Sequence, residues 1–245
     1  MKHFTLSFVF MFMMLPVFVS CFFAGNAPVY GNHQLENKQI DITDYEEISL
    51  NISADVFYQQ FSDSAPYLQI HTDENIFASL DVKVEGRKLI ISAKKDSLIK
   101  PSKLTIYTCS RNLKEVKIAG SGDITLKGEV NAKDFDLAIS GSGSLFADSL
   151  VCKDIEVRIT GSGNAKLIGA GSHSSFKVTG SGDIQAYNFY VETAKCTVTG
   201  SGDIQVNVYK NLEAQITGSG DILYRGTPET VNSKITGSGS VRQTQ

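Results

Sequence analysis

Seven copies of Gly-Ser-Gly begin at Gly120, Gly141, Gly161, Gly180, Gly200, Gly218 and Gly237, with spacings of 21, 20, 19, 20, 18 and 19 residues. Two glycines per copy account for 14 of the chain's 21, so glycine marks a period here, not general flexibility. A period near 20 residues means one short supersecondary unit stacked on itself. Such a unit cannot bury an apolar face alone; only the stack makes a core.

The flanks of the tripeptide are regular. Three alternating positions precede each of the last six copies: Phe135-Leu137-Ile139, Ile155-Val157-Ile159, Ser174-Phe176-Val178, Ala194-Cys196-Val198, Leu212-Ala214-Ile216 and Val231-Ser233-Ile235. The first copy carries Leu113, Val116 and Ile118, with only the last two in phase. The residues between them are mostly polar, and period-two alternation is the mark of a strand with one buried face. A second short strand follows each turn: Ile124 and Leu126, Leu145 and Ala147, Ala165 and Leu167, Ile184 and Ala186, Ile204 and Val206. A less regular third segment carries Val130, Leu150, Phe189 and Val208. Three short strands per repeat predict one coil of a parallel β-helix, each strand paired with its copy one repeat later. Stacking at ~4.8 Å would make six intervals about 29 Å tall.

In that coil the Gly-Ser-Gly is a sharp corner that only glycine turns without strain. Ile118, Ile139, Ile159, Val178, Val198, Ile216 and Ile235 would form an inward β-branched ladder. Thr160, Thr179, Thr199, Thr217 and Thr236 would stack beside the corner as a cross-strand packing column. Cys196 falls in the inward column beside Phe176 and Ala214, as a small buried hydrophobe. With Cys109 and Cys152 it leaves an odd number of thiols beyond Cys21, which is not a disulfide framework.

The residue after each corner is the strongest site candidate: Asp123, Ser144, Asn164, Asp183, Asp203, Asp221 and Ser240. Short polar side chains there satisfy turn amides, as Asp, Asn and Ser all do. Asp183, Asp203 and Asp221 would also stack on consecutive coils, where a hard cation would relieve their repulsion. The mixture of Ser and Asn in the column favours capping over that cation ladder.

Residues 41–119 show alternation without the tripeptide, as in Ile48-Leu50-Ile52, Val82-Val84, Leu89-Ile91 and Leu104-Ile106, with Gly86-Arg87 reading as a tight turn. They form a β-rich section of the same domain that starts or caps the 120–245 column. Residues 22–40 lack periodicity and read as a tether. Residues 1–21 read as an export signal: Lys2 and His3 precede an apolar run from Phe4 to Val19. Phe18-Val19-Ser20-Cys21 resembles a bacterial lipobox, with Cys21 as the lipidation site; ordinary cleavage near Gly25-Asn26-Ala27 is the alternative.

Little in the chain points to chemistry. Beyond Cys21, 22 Lys and Arg (23 less Lys2) face 26 Asp and Glu, with no basic cluster for nucleic acid. His33, His71 and His173 have no partner at catalytic spacing, and no lysine follows the tripeptide as in a phosphate loop. No cofactor is implied. Lys133, Lys153, Arg158 and Lys177 are the cations a polysaccharide-lyase-like enzyme on a β-helix would use, and they read as ordinary surface charge. Phe57, Tyr58, Phe61 and Tyr67, and the later cluster Tyr187, Phe189, Tyr190, Tyr209 and Tyr224, are candidates for sugar stacking or interfaces. The last coil has no evident cap, so its edge is expected to pair with a second copy or fold over itself.

Ala54-Asp55-Val56-Phe57-Tyr58-Gln59, then Lys103-Leu104-Thr105-Ile106-Tyr107, then the run of Gly-Ser-Gly-Asp-Ile corners, resemble the head GIN domain family over roughly residues 40–245. Its usual label is auto-transporter adhesin, and it is common in exported proteins of Bacteroides-like bacteria. The resemblance implies an all-β, right-handed parallel β-helix and brings no catalytic residues. It implies an exported, non-enzymatic cell-envelope adhesin or binding scaffold with a glycan or protein ligand; the lipobox reading would hold it by a lipid anchor on Cys21 at the outer membrane, facing the periplasm or the cell surface. A carbohydrate-active enzyme and a self-assembling structural protein are the alternatives.

Overall fold

Gly-Ser-Gly turns the chain once per coil, and the computed structural model, which describes residues 27–63 and 65–245, is a right-handed β-solenoid of about six turns. The expected leader (1–21), with Cys21, and the first tether residues lie outside the described residues. In chain order the strands are β1 (Val29–Tyr30), β2 (Leu35–Ile40), β3 (Glu47–Leu50), β4 (Asp55–Gln60), β5 (Tyr67–Asp73), β6 (Leu80–Glu85), β7 (Lys88–Ala93), β8 (Ile99–Lys100) and β9 (Leu104–Ser110). There follow β10 (Glu115–Gly120), β11 (Asp123–Gly141), β12 (Ser144–Gly161), β13 (Asn164–Gly180), β14 (Asp183–Gly200), β15 (Ile204–Gly218), β16 (Ile222–Arg225), β17 (Thr230–Gly237) and β18 (Val241–Gln243). Each of β11 to β15 runs around most of one coil. All pairings from β10 to β18 are parallel.

The sequence ladder is the structural register. Ile118 pairs with Ile139, then Ile159, Val178, Val198, Ile216 and Ile235. The members from Ile118 to Ile216 are buried, each contributing roughly 1.5–3 kcal/mol. Phe176, Cys196 and Ala214 share the next inward column, as expected. The third segment is less regular because its ladder carries register shifts. There Gly169 lies between Leu150 and Phe189, and Val208 pairs with Val191 rather than with Phe189.

Residues 41–119 extend two of the solenoid's faces downward, out of chain order. Below β10 lie β3, β7 and then β6; below the first part of β11 lie β4, β9, β5 and then β2. The inward ladder continues through Leu50 and Ile91. Both extensions finish in antiparallel strands, β6 and β2. Gly86 and Arg87 join β6 to β7 with φ of 55° and 66°, the two positive values that a two-residue hairpin turn requires.

The tether expectation needs correction. Within 22–40, β1 pairs with β8 and β2 pairs with β5, so residues 29–40 belong largely to the folded unit. The buried carboxylate of Asp73 ties them down, accepting from the His33 amide (2.8 Å), the Ser102 amide (2.7 Å) and the Ser102 hydroxyl (2.6 Å). Burial pushes its pKa up, but the Ser102, His33 and Lys103 hydrogen bonds prevail and hold it below the usual carboxylate range.

Candidate binding surface

Each corner sets the direction of the outward side chains on the two strands that flank it. The two glycines of each corner do different jobs. The first has positive φ in all seven copies, from 110° at Gly120 to 132° at Gly218. Its carbonyl accepts twice from the next coil: Gly161 O takes the Ser181 amide at 2.8 Å and the Gly182 amide at 3.1 Å. The second glycine is there for space: a Cβ on Gly182 would lie 2.1 Å from Gly163 O and 2.8 Å from Ile159 Cγ2. Only the first glycine therefore matches the expected torsional requirement.

Beyond the corner, the polar column caps amides of the neighbouring coil rather than its own turn. Asp123 Oδ1 accepts the Ser144 amide (2.7 Å), Asn164 Oδ1 the Asp183 amide (3.2 Å), and Asp183 Oδ1 the Asp203 amide (2.9 Å). Asp203 Oδ1 accepts the Asp221 amide (2.7 Å), and Asp221 Oδ1 the Ser240 amide (2.8 Å). Each side chain thus carries a ladder hydrogen bond where the main chain turns away. Asp221 also binds the Arg242 guanidinium at 2.8 Å. Burial raises the Asp221 pKa, but Ser240 and Arg242 more than offset it and leave it low. Among the described residues no group of three or more His, Cys, Asp or Glu is arranged to hold a metal ion.

The next outward column on that face carries three aromatic rings in its lower half. Register places Tyr107, Phe57, Thr125, Phe146, Lys166, Gln185, Gln205 and Leu223 on successive strands. The Phe57 and Tyr107 rings stack with centroids 5.3 Å apart and planes at 19°. Lys127 Nζ lies 5.8 Å from the Phe57 ring centroid, and Lys166 Nζ 5.4 Å from that of Phe146. Tyr107 keeps 43% of its surface exposed. An open cleft of about 270 Å³ adjoins Phe146, lined also by Asp123, Thr125, Ser144, Asn164, Lys166 and Gln185. The result is a flat ribbon of apolar rings edged by ammonium, carboxylate, amide and hydroxyl groups.

Several expected aromatics are elsewhere. Tyr58 and Phe189 are core, and Tyr58 donates or accepts at the Ser110 hydroxyl, 3.0 Å away. Tyr187 stacks on Arg225, 4.3 Å from the guanidinium carbon. Tyr190 and Tyr209 are exposed. Sequence reasoning passed over Tyr107 and Phe146; the available signal was parity, since each sits between two inward residues.

Two of the four cations considered for catalysis are paired with a carboxylate. Arg158 pairs with Glu156, and Lys133 with Asp134 at 3.8 Å. Lys177 stacks in register above Arg158. A separate cleft of about 390 Å³ gathers Asp134, Asp136, Asp154, Glu156 and His173. Burial, then the Glu156 charge, raises the Asp136 pKa. Cys196 is fully buried and its thiol is pushed up to about 12 by burial, as is that of Cys152, while Cys109, Cys152 and Cys196 are all free thiols.

The inward ladders fill the solenoid's interior, so its outward chemistry lies on the registered columns of its faces. Residues 44–228 match the family model described as "Putative auto-transporter adhesin, head GIN domain". The chain belongs to that family. Among solved structures it resembles a putative adhesin from Bacteroides fragilis at 25% identity, covering 88% of this chain and 100% of that one, with TM-score 0.84. It also resembles a putative lipid binding protein from Parabacteroides distasonis at 31% identity, covering 89% and 100%, with TM-score 0.73. A putative adhesin from Parabacteroides merdae is similar at 26% identity, covering 89% and 99%, with TM-score 0.71. No match was found among curated proteins.

Proposed function

We propose that this protein is a non-enzymatic adhesin of the cell envelope that binds an extended glycan along the Tyr107–Phe57–Phe146 ribbon. The carrying observation is the outward aromatic column with Lys127 and Lys166 at its rings. Apolar ring surface takes the C–H face of a sugar, and the flanking Asp123, Thr125, Asn164 and Gln185 offer donors and acceptors for its hydroxyls. Export and anchoring through Cys21 at the outer membrane, facing the periplasm or the surface, complete the proposal. The label of the Parabacteroides relative adds lipid as a second ligand class, which would lie on the ribbon because the ladders fill the interior.

The test is a glycan, matrix-protein and lipid-vesicle binding screen with the purified chain, Phe57→Ala and Phe146→Ala. Each substitution should weaken glycan binding about two- to twelvefold, from roughly 0.5–1.5 kcal/mol per aromatic contact. Glycan binding untouched by both substitutions would remove the ribbon from the proposal, and binding only to vesicles would reassign the ligand.

The enzyme alternative rests on the cleft with the raised Asp136 carboxyl beside Glu156. Release of sugar ends in the same screen, abolished by Asp136→Asn, would favour it.

A further inference from the structure

The two ends of the column are finished differently. At the lower end both edge strands are antiparallel and charged: Lys83 on β6 pairs with Asp81 (3.3 Å) and Glu85 (3.1 Å), and Lys38 on β2 pairs with Glu36 (3.3 Å). Charge along an edge discourages further strand addition. At the upper end β17 pairs with β15 on one side only, and among the described residues no strand lies against its other edge. Alternate residues of β17 therefore direct unpaired N–H and C=O groups outward.

The side chains repeat the contrast. Val231 and Ile235 occupy inward columns, yet 40% and 43% of their surfaces are exposed, against 1% and 0% for Leu212 and Ile216 one coil below. All eight residues of β17 are exposed. Among the described residues, the apolar core thus reaches β17 without being covered there.

The sequence of that edge is self-complementary. Thr230-Val231-Asn232-Ser233-Lys234-Ile235-Thr236 is a pseudo-palindrome about Ser233. An antiparallel pairing with a second copy, its two-fold axis through Ser233, sets Val231 against Ile235, Asn232 against Lys234 and Thr230 against Thr236. Inward residues meet inward residues, which a shift by one residue would forfeit. The lone β17 cation meets an amide, not another cation, so no like charges oppose one another.

We propose that the upper coil is a homodimer interface, in which β17 pairs antiparallel with β17 of a second copy about Ser233. The contact is isologous, so it closes at two copies, and the charged lower edges prevent a longer filament. It is independent of the ligand assigned above.

Sedimentation velocity on the purified chain should give a dimer across a concentration series. The double substitution Val231→Lys, Ile235→Lys places lysines opposite one another across the axis. It should halve the apparent mass while leaving the circular dichroism spectrum close to the parent's, because both sites are already half-exposed in the single chain. The thermal midpoint should fall only to that of the dissociated parent at high dilution, since association itself stabilises the fold. Register is read by oxidative cross-linking in a Cys21→Ser background, the remaining described thiols being buried. Mixed Asn232→Cys and Lys234→Cys chains should form a covalent heterodimer, and Asn232→Cys alone should not. A monomer at every concentration, a dimer indifferent to the double lysine substitution, or cross-linking of Asn232→Cys to itself would each overturn the proposal.

Discussion

The corner glycines allow two causes of one residue choice to be separated by experiment. Gly120 and Gly180 are both first glycines, with φ of 110° and 121°. A Cβ on Gly120 meets nothing within 4 Å, whereas one on Gly180 would lie 2.4 Å from Gly161 O. Gly120→Ala therefore carries only the backbone cost, about 1–3 kcal/mol. Gly180→Ala carries the same cost and must also displace Gly161 O, which holds the Ser181 and Gly182 amides. Losing those two hydrogen bonds adds about 2 kcal/mol. Gly182→Ala has no torsional cost but would press on Gly163 O and Ile159, and overpacking costs about 1–3 kcal/mol; because a backbone atom is struck, the upper end is expected.

Guanidinium unfolding followed by circular dichroism reads these differences as midpoint shifts. With a slope of about 4 kcal/mol/M for a chain of this size, the extra 2 kcal/mol of Gly180→Ala over Gly120→Ala is a shift of about 0.5 M. Stacked repeats can lose cooperativity, so a changed slope would call for hydrogen exchange at the altered coil. Equal shifts for the two variants would refute the reasoning, since torsion alone would then account for the glycines.

Three further outcomes follow from named contacts. Asp203→Ala should cost about 1 kcal/mol by orphaning the Asp221 amide, Asp203→Asn should cost less because it keeps an acceptor, and millimolar calcium should leave the parent's thermal midpoint unchanged; a calcium-dependent rise lost in Asp203→Asn would restore the cation ladder. Cys196→Ser should destabilise by about 1–3 kcal/mol through a buried, unpaired hydroxyl, while native Cys109, Cys152 and Cys196 should resist a thiol reagent at pH 8 until the chain unfolds, as counted by mass spectrometry. Asp73 has a folded pKa below its unfolded value of about 3.9, so its contribution is complete above that value and lost as pH falls through the folded pKa; Asp73→Asn should lower stability at pH 7 and flatten the acid limb of a midpoint-versus-pH curve.

What the sequence disclosed, and what it hid, follow from how each contact is made. From β10 upward every partner lies one repeat away, so inward parity at Ile139 is checked by Ile159 and Val178 and the register needs no other information. The lower section has no such redundancy. That β4 lies between β11 and β9 depends on pairings such as Val56 with Ile106, 50 residues apart, and no local pattern announces it. β2 was hidden for a different reason: its burial pattern is exposed throughout except for Ile40. A strand that covers an edge without burying a face has no alternation to show. The ribbon falls between these cases. Phe146 is flanked by the inward Leu145 and Ala147, so its outward direction was legible, but one outward aromatic in one coil signifies little. It becomes part of a surface only when non-local pairing brings Tyr107 against Phe57 and sets both below Thr125 and Phe146. In a stacked fold of this kind the repeat encodes the scaffold, and the surface that distinguishes this chain arises where the repeat is broken: by rings standing at outward positions that hold Thr, Lys and Gln in other coils.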